Sequence, residues 1–587
     1  MFQTFEVTSR PEDGPARLAL LRHEIVAEGL GGFLVPRADA HQGEYVAPCD
    51  ARLAWLTGFS GSAGFCAVLA DRAGVFVDGR YRTQIKSQVD LAHFTPVDWP
   101  EVKLGAWLNE AMPKGGKVGF DPWLHTAEEI EKLADCGVTL VPMANLVDRI
   151  WADRPAKPCG KIVDHPVEFA GETSADKRSR IAADMGADAT VLTLPDSICW
   201  LLNIRGSDIE RNPVVQAFTI LHGDGRVVLF TDPAKAQGLD IEVQEWDAFG
   251  AALGALKGIV RIDPVSAPKA VFDILSDAGV KIFKEVDPCI LPKARKNAVE
   301  VAGARTAHLR DGVAMVQFLA WLDDAAPKGR LHEIDVVQKL EGFRRATNAL
   351  RDISFETICG AGPNGAIMHY RVSEDSNREI KAGEMLLVDS GGQYQDGTTD
   401  ITRTVAVGAI DDERKSCFTR VLQGMIAISR ARFPKGLAGR DLDPLARYPL
   451  WLAGQDFNHG TGHGVGSYLS VHEGPQRISR ISDVTLETGM ILSNEPGYYR
   501  EGAFGIRIEN LIVVQDAPAL QGADARDMLA FETLAYVPID RRLIVVEMLS
   551  TGERDWLDAY HAKTLEMLGP LVNGAVQDWL IAACAPL

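Results

Sequence analysis

Four acidic residues end or interrupt apolar runs in the last third of the chain. Asp389 closes MLLVD, Asp400 opens DITRTVAV, Glu495 closes MILSNE and Glu509 lies inside FGIRIENLIVV. Such runs predict buried strands, and an unpaired carboxylate on a buried strand costs several kcal/mol. Any fold that accepts this sequence must supply these acids with partners, and that requirement constrains the chain more than any other feature.

Asp389 and Asp400 stand 11 residues apart across the turn-rich GGQYQDGTT, and Glu495 and Glu509 stand 14 apart across PGYYREGA. Each pair predicts a hairpin with one acid on each arm. The period of two along a strand puts Arg507 and Glu509 on one face of the last strand and Ile506 and Ile508 on the core side, and it groups Asp400 with Thr402. Between the hairpins lies HGTGHGVGSYLSVHEGP, residues 459 to 475, with His459, His463 and His472 in a glycine-rich frame. Glycines there predict a backbone that passes close to a ligand. The segment is not a dinucleotide loop, because Val465 and Ser467 occupy the positions where a further glycine is needed.

A single aspartate at a strand end is ordinarily a turn cap, and a single histidine in such a loop is ordinarily a hydrogen-bonded structural group. Four strand-borne acids together with a histidine match instead an oxygen-rich site for two hard or borderline dications.

Upstream, two irregular proline-bearing stretches, residues 153–161 and 285–296, read as linkers. The segments before them alternate strand-like runs such as VFVD and VVLF with helical stretches such as Arg17 to Glu28, so each is an α/β domain. They also share W-L-x4-G-S, at Trp55–Ser62 and Trp200–Ser207, followed by a glycine turn and a short apolar strand ending near Asp78 or Asp232, which predicts a duplication. Asn297 and Glu300 predict a capping box, and Met315, Phe318, Leu319 and Leu322 recur at helical spacing.

The 587 residues suffice for three or four domains of ordinary globular composition. A formal charge of −19 disfavours nucleic acid and anionic lipid as partners. The nine cysteines occur singly with no C-x-x-C, which suits a reducing compartment. The opening residues show no signal-peptide pattern, and no apolar run reaches membrane-spanning length, so no membrane association and a cytoplasmic location are expected.

At these residues the sequence resembles the pita-bread metallopeptidases, specifically the three-domain cytosolic aminopeptidases P. GFSGSAG and DGRY carry the likeness in the first domain, NIRGSDIERNPV in the second and the site motifs in the third. The resemblance implies an α/β (α+β) architecture with two related creatinase-like N-terminal domains, 1–155 and 156–293, and a pita-bread catalytic domain over 294–587. It makes Asp389 a bidentate ligand of one metal, Asp400 and Glu509 bridges between two metals, and His463 and Glu495 ligands of the other. It places His369, His459 and His472 around the substrate and Arg507 behind the ligands, and it implies a homodimer.

The implied activity is hydrolysis of the bond between an N-terminal residue and a penultimate proline, through a hydroxide bridging the two metals. Glu495 is the candidate proton carrier, with His369 and His472 stabilising the oxyanion. The resemblance implies manganese, although the donors also suit zinc or cobalt. The partners expected are peptides with proline second. A prolidase acting on Xaa-Pro dipeptides, a metal-free amidinohydrolase and a non-enzymatic peptide-binding relative are the competing readings. The intact ligand set opposes the last two, and the two domains ahead of the catalytic one oppose the first.

Overall fold

The computed structural model describes all 587 residues. The chain divides into two compact units, Thr8–Lys293 and Ala294–Leu587, and Met1–Val7 belongs to the second.

The first unit holds two six-stranded sheets. One is built from β1 (Gly32–Pro36), β2 (Phe65–Leu69), β3 (Ala73–Val77), β4 (Thr95–Asp98), β5 (Lys117–Phe120) and β6 (Thr139–Pro142), in the order β4-β3-β2-β1-β5-β6. The other is built from β7 (Ala189–Leu192), β8 (Phe218–His222), β9 (Val227–Phe230), β10 (Glu242–Gln244), β11 (Ile259–Ile262) and β12 (Lys281–Lys284), in the order β10-β9-β8-β7-β11-β12. The orders are the same, and so are the directions. In each sheet the first three strands form an antiparallel meander and the remaining pairings are parallel.

The shared W-L motif falls at the same topological place in both sheets, on the helix between the first and second strands. Those helices, Arg52–Thr57 and Pro195–Leu202, each end on a left-handed residue, Gly58 (φ 88) and Asn203 (φ 52). Identical topology around a matching motif is what duplication of one α/β unit produces. The central strands β1, β3, β7 and β9 are buried along their whole length, as parallel-type sheets covered on both faces require.

The second unit opens with the capping box at Asn297 and Glu300, where both reciprocal hydrogen bonds are present, and runs into helix α1 (Ala298–Ala325). Met315, Phe318, Leu319 and Leu322 of α1 are buried in a core with Leu386, Leu387 and Val388. Helix α2 (Glu333–Arg345) adds Val336, Val337 and Leu340 to the same core.

This core underlies an antiparallel sheet of β13 (Ile358–Ala361), β14 (Glu384–Ser390) and β15 (Ile401–Val407). A second, wholly antiparallel sheet runs β16-β21-β20-β19-β17-β18, from β16 (Arg432–Pro434), β17 (Gly462–Gly464), β18 (Glu473–Ile478), β19 (Ile491–Asn494), β20 (Asn510–Asp516) and β21 (Met528–Thr533). Helix α3 (Asp412–Ser429) inserts Phe418, Leu422 and Met425 beside Ile506 and Ile508, which fixes those isoleucines on the core side.

Candidate metal centre

Both acid pairs sit on antiparallel ladders, and in each the connecting segment is itself a small hairpin. β14 pairs with β15, placing Asp389 opposite Thr402, while Asp400 immediately precedes β15. The short strands Gly392–Tyr394 and Gly397–Thr398 form the excursion between them. β19 pairs with β20 through Asn494 opposite Asn510, so Glu495 and Glu509 leave the same end of that ladder.

Here the structure departs from the sequence reading. FGIRIENLIVV is not one strand but two, Phe504–Arg507 pairing with Gly497–Arg500 and Asn510–Asp516 pairing with β19, with Glu509 at the break. The change of partner sheet ends the simple alternation, and Ile506, Arg507, Ile508 and Glu509 are all buried.

The carboxylates converge. Potential donor atoms of Asp400, His463 and Glu509 all lie within 4.8 Å of one another. His463 Nδ1 donates to its neighbour's carbonyl, Gly464 O, at 2.8 Å, a tautomer that turns the Nε2 lone pair inward. Nε2 lies 3.5 Å from both Asp400 Oδ2 and Glu495 Oε1, too far for a good hydrogen bond. Asp389 Oδ1, Asp400 Oδ1 and Glu509 Oε1 are buried and accept no hydrogen bond from the protein.

Buried polar atoms are almost always paired, so three orphaned acid oxygens, two of them on acids whose donor atoms converge with those of His463, mark a site that divalent cations fit. The energetics agree. Burial, then the neighbouring carboxylates Asp389 and Glu495, push the Asp400 carboxyl well above the usual range. Burial, then Asp400, Asp389 and Glu495, do the same to Glu509. Burial also raises Glu495, against the pull of His463 and Arg507.

One oxygen each of Glu509, Glu495 and Asp389 is held by the protein. Thr402 Oγ1 donates to Glu509 Oε2 at 2.7 Å, Ser493 Oγ donates to Glu495 Oε1 at 3.1 Å, and Arg507 Nη2 donates to Asp389 Oδ2 at 2.5 Å. Ser493 Oγ also accepts from the His463 backbone N–H at 2.9 Å, tying the histidine strand to the Glu495 hairpin. Arg507 further donates to Tyr499 Oη at 2.6 Å and to Met368 O at 3.3 Å.

Tyr499 in turn meets His459 Nε2 at 2.9 Å, while His459 Nδ1 donates to Gly460 O at 2.7 Å. Both nitrogens of His459 are therefore engaged within the protein, in a relay His459–Tyr499–Arg507–Asp389. The His472 ring stands edge-on to the His463 ring with centroids 4.3 Å apart. His369 is half-buried in the turn that follows the 3-10 helix Gly362–Ala366.

Gly462 and Gly464 of the histidine segment serve the protein's own backbone. A Cβ on Gly462 would stand 1.9 Å from Ser493 O, and one on Gly464 would stand 2.6 Å from Glu473 O. They admit neighbouring strands, not a ligand. Sequence reading gave no role to Ser493 or Tyr499. Their only signal is position, Ser493 two residues before Glu495 on the same strand face and Tyr499 inside the excursion, where no periodicity marks it.

Comparison with known proteins accords with this geometry. The model of metallopeptidase family M24 matches residues 302–516, that of the C-terminal region of peptidase M24 matches 527–587, and two distinct models of the creatinase/prolidase N-terminal domain match, one over 17–150 and the other over 153–300. A Laccaria bicolor protein named "Probable Xaa-Pro aminopeptidase P" is 38% identical over 97% of this chain and 93% of its own length. Aminopeptidase P2 of Arabidopsis thaliana is 38% identical over 95% of this chain and 86% of its own. The crystal structure of X-prolyl aminopeptidase from Caenorhabditis elegans, described as a cytosolic enzyme with a di-nuclear active site, aligns with a TM-score of 0.91 at 33% identity, covering 98% of this chain and 100% of that one.

Proposed function

Because the chain belongs to metallopeptidase family M24, and its near full-length relatives are Xaa-Pro aminopeptidases, we propose that it hydrolyses the bond between an N-terminal residue and a penultimate proline. The observation that carries this reading is the set of buried carboxylate oxygens of Asp389, Asp400 and Glu509 that have no protein partner and that divalent cations would complete. Two divalent ions, manganese in this reading, would be held by Asp389, Asp400, His463, Glu495 and Glu509. When bound, they supply a water nucleophile ionised near neutral pH and polarise the scissile carbonyl.

The chain's own groups do the rest. Glu495, with Oε1 held by Ser493, takes the proton of the attacking water on its other oxygen and returns it to the departing prolyl nitrogen. His472 and His369 hydrogen-bond the oxygen that becomes negative. Arg507 holds Asp389 in place, and His459 braces Arg507 through Tyr499, so both support the site from behind the substrate face. The proline nitrogen carries no N–H, so a pocket that asks for none accepts this tertiary amide.

The domains in this reading are 1–155, 156–293 and 294–587. A homodimer is supported by helix α4 (Gly439–Trp451), which exposes Leu445 (42%), Tyr448 (59%) and Trp451 (42%) in line with Leu452 (72%) just beyond its end. No helix is long and apolar enough to cross a membrane, and a cytoplasmic location fits the nine free cysteines.

The test is an assay of the manganese-loaded protein on Xaa-Pro-Yaa tripeptides, Xaa-Pro dipeptides and Xaa-Ala-Yaa controls. Cleavage of the tripeptides alone is expected. Cleavage of dipeptides alone would reassign the chain as a prolidase, and failure to bind metal would sink every hydrolytic reading.

A further inference from the structure

The first residues of the chain pack with the unit that carries the site, although more than 280 residues of sequence intervene. Gln3 is 3% exposed, and its side-chain amide both donates to Thr357 O at 3.3 Å and accepts from Thr357 N at 2.8 Å. That two-point pairing imitates a strand neighbour one residue ahead of β13, whose Ile358 pairs with Asp389. The backbone N–H groups of Phe2 and Gln3 donate to the two carboxylate oxygens of Glu341 on α2, at 2.9 and 3.3 Å. Phe5 packs against the core beneath the β14 and β15 hairpin.

The far side of this segment holds the loop between β13 and β14. Glu374 N donates to Phe5 O at 2.9 Å, and Arg371 donates to Glu6 O at 2.9 Å and Thr4 O at 3.1 Å while pairing with Glu356. The loop runs 22 residues, from 362 to 383, with a single 3-10 turn as its regular structure, and it carries His369. Its inner side is anchored independently. Tyr370 Oη donates to Glu333 at 2.9 Å, Glu333 also accepts from Ala361 N at 2.7 Å and Arg378 N at 3.1 Å, and Met368 O accepts from Arg507.

The residues flanking His369 are thus fixed from inside by Glu333 and Arg507 and from outside by residues 4 to 6. A loop of this length left on one anchor would sample many conformers, and a substrate-contacting side chain works only when its position is held within a fraction of an ångström. We propose that Gln3, Thr4, Phe5 and Glu6 are positioning residues of the active site, clamping the 362–378 loop so that His369 meets the substrate. The proposal rests on the reading of His369 as a substrate contact. It gives the segment no part in holding the metals, whose ligands lie on other elements.

The experiment compares full-length protein, a chain lacking residues 2–7, and the milder double variant Gln3→Ala/Phe5→Ala, which guards against a truncation that fails to fold. Each is also made in a His369→Ala background. With an Xaa-Pro-Yaa tripeptide, the clamp predicts kcat/KM lowered about tenfold, corresponding to about 1.4 kcal/mol, with the loss in kcat and KM changed far less, because His369 acts on the oxygen that becomes negative. Metal content is expected to stay at the full-length value, and in the His369→Ala background loosening the segment should cost nothing further. Unchanged kcat, a loss that multiplies with that of His369→Ala, or loss of metal would each overturn it.

Hydrogen exchange reads the clamp without turnover. Faster exchange over 362–372 with β14 and β15 still protected supports it, and unchanged exchange there overturns it. Absence of Xaa-Pro hydrolysis in the full-length protein would overturn the site reading, which the exchange measurement keeps separate from the clamp.

Discussion

Replacing Thr402 by valine removes one hydroxyl from a fully buried position and changes little else. That hydroxyl donates to Glu509 Oε2 at 2.7 Å and accepts from Arg507 Nε at 3.2 Å. Valine has nearly the same volume, so no cavity opens. The lost hydrogen bond is to a charged group and is worth about 1.5–3 kcal/mol, with a guanidinium N–H left unsatisfied as well. Glu509 must be ionised to hold a cation, so most of that loss falls on the metal-bound state. Metal affinity should weaken by about 10–100-fold, the range usual for groups that orient a ligand.

The assay is metal content after equilibration in buffers of graded free manganese. Thr404→Val is the control. Its hydroxyl donates to Arg507 O at 2.9 Å and accepts from Arg507 N at 3.1 Å, so it holds the same strand by the backbone alone. It should cost about 1 kcal/mol of stability and leave affinity unchanged. Wild-type affinity in Thr402→Val, or equal weakening in both variants, would refute the argument that Thr402 orients Glu509.

Three further outcomes are expected. Glu495→Gln keeps the fold by circular dichroism but abolishes turnover, and near-normal activity would remove its proton-transfer role. Lys235→Met strands the buried Asp208 carboxylate, which otherwise has only the backbone N–H groups of Gly160 and Gln216, and should destabilise the first unit by about 3–5 kcal/mol in denaturant titration. His561 accepts from Ile539 N at 3.1 Å, and burial, aided by Arg403 and Arg541, pushes its pKa down to about 3. The unfolded chain therefore binds the proton first, and stability falls as pH drops from about 6.5 toward 3, by up to about 1.4 kcal/mol per pH unit. His561→Gln should flatten that slope, and an unchanged slope would show that His561 is not its source.

Much of the candidate site was legible because the acids proposed as its ligands lie where local pattern is strong. Asp389, Asp400 and Glu495 stand at the ends of apolar strands, and each acid pair does share an antiparallel ladder. The capping box at Asn297 and the buried face of α1 were readable for the same reason, since both are set within a few residues. The continuity assumed for FGIRIENLIVV was not, because a strand that leaves one sheet for another keeps its alternating composition through the break. The glycines at 462 and 464 were legible as close approaches, but what approaches is Ser493 and Glu473, which no local pattern reveals.

The sequence alone determined the four acids, the histidine between them and the two-hairpin frame, because periodicity and the cost of burying charge act over short stretches. Tertiary packing settled which oxygen of Glu509, Glu495 and Asp389 is held by Thr402, Ser493 or Arg507, and it left Asp389 Oδ1, Asp400 Oδ1 and Glu509 Oε1 without a protein partner. It alone also decided that Gln3 pairs with Thr357 and that residues 4 to 6 brace the turn bearing His369. Those contacts join residues tens to hundreds of positions apart, and their geometry comes from the packing of sheets and loops, which leaves no period in the sequence.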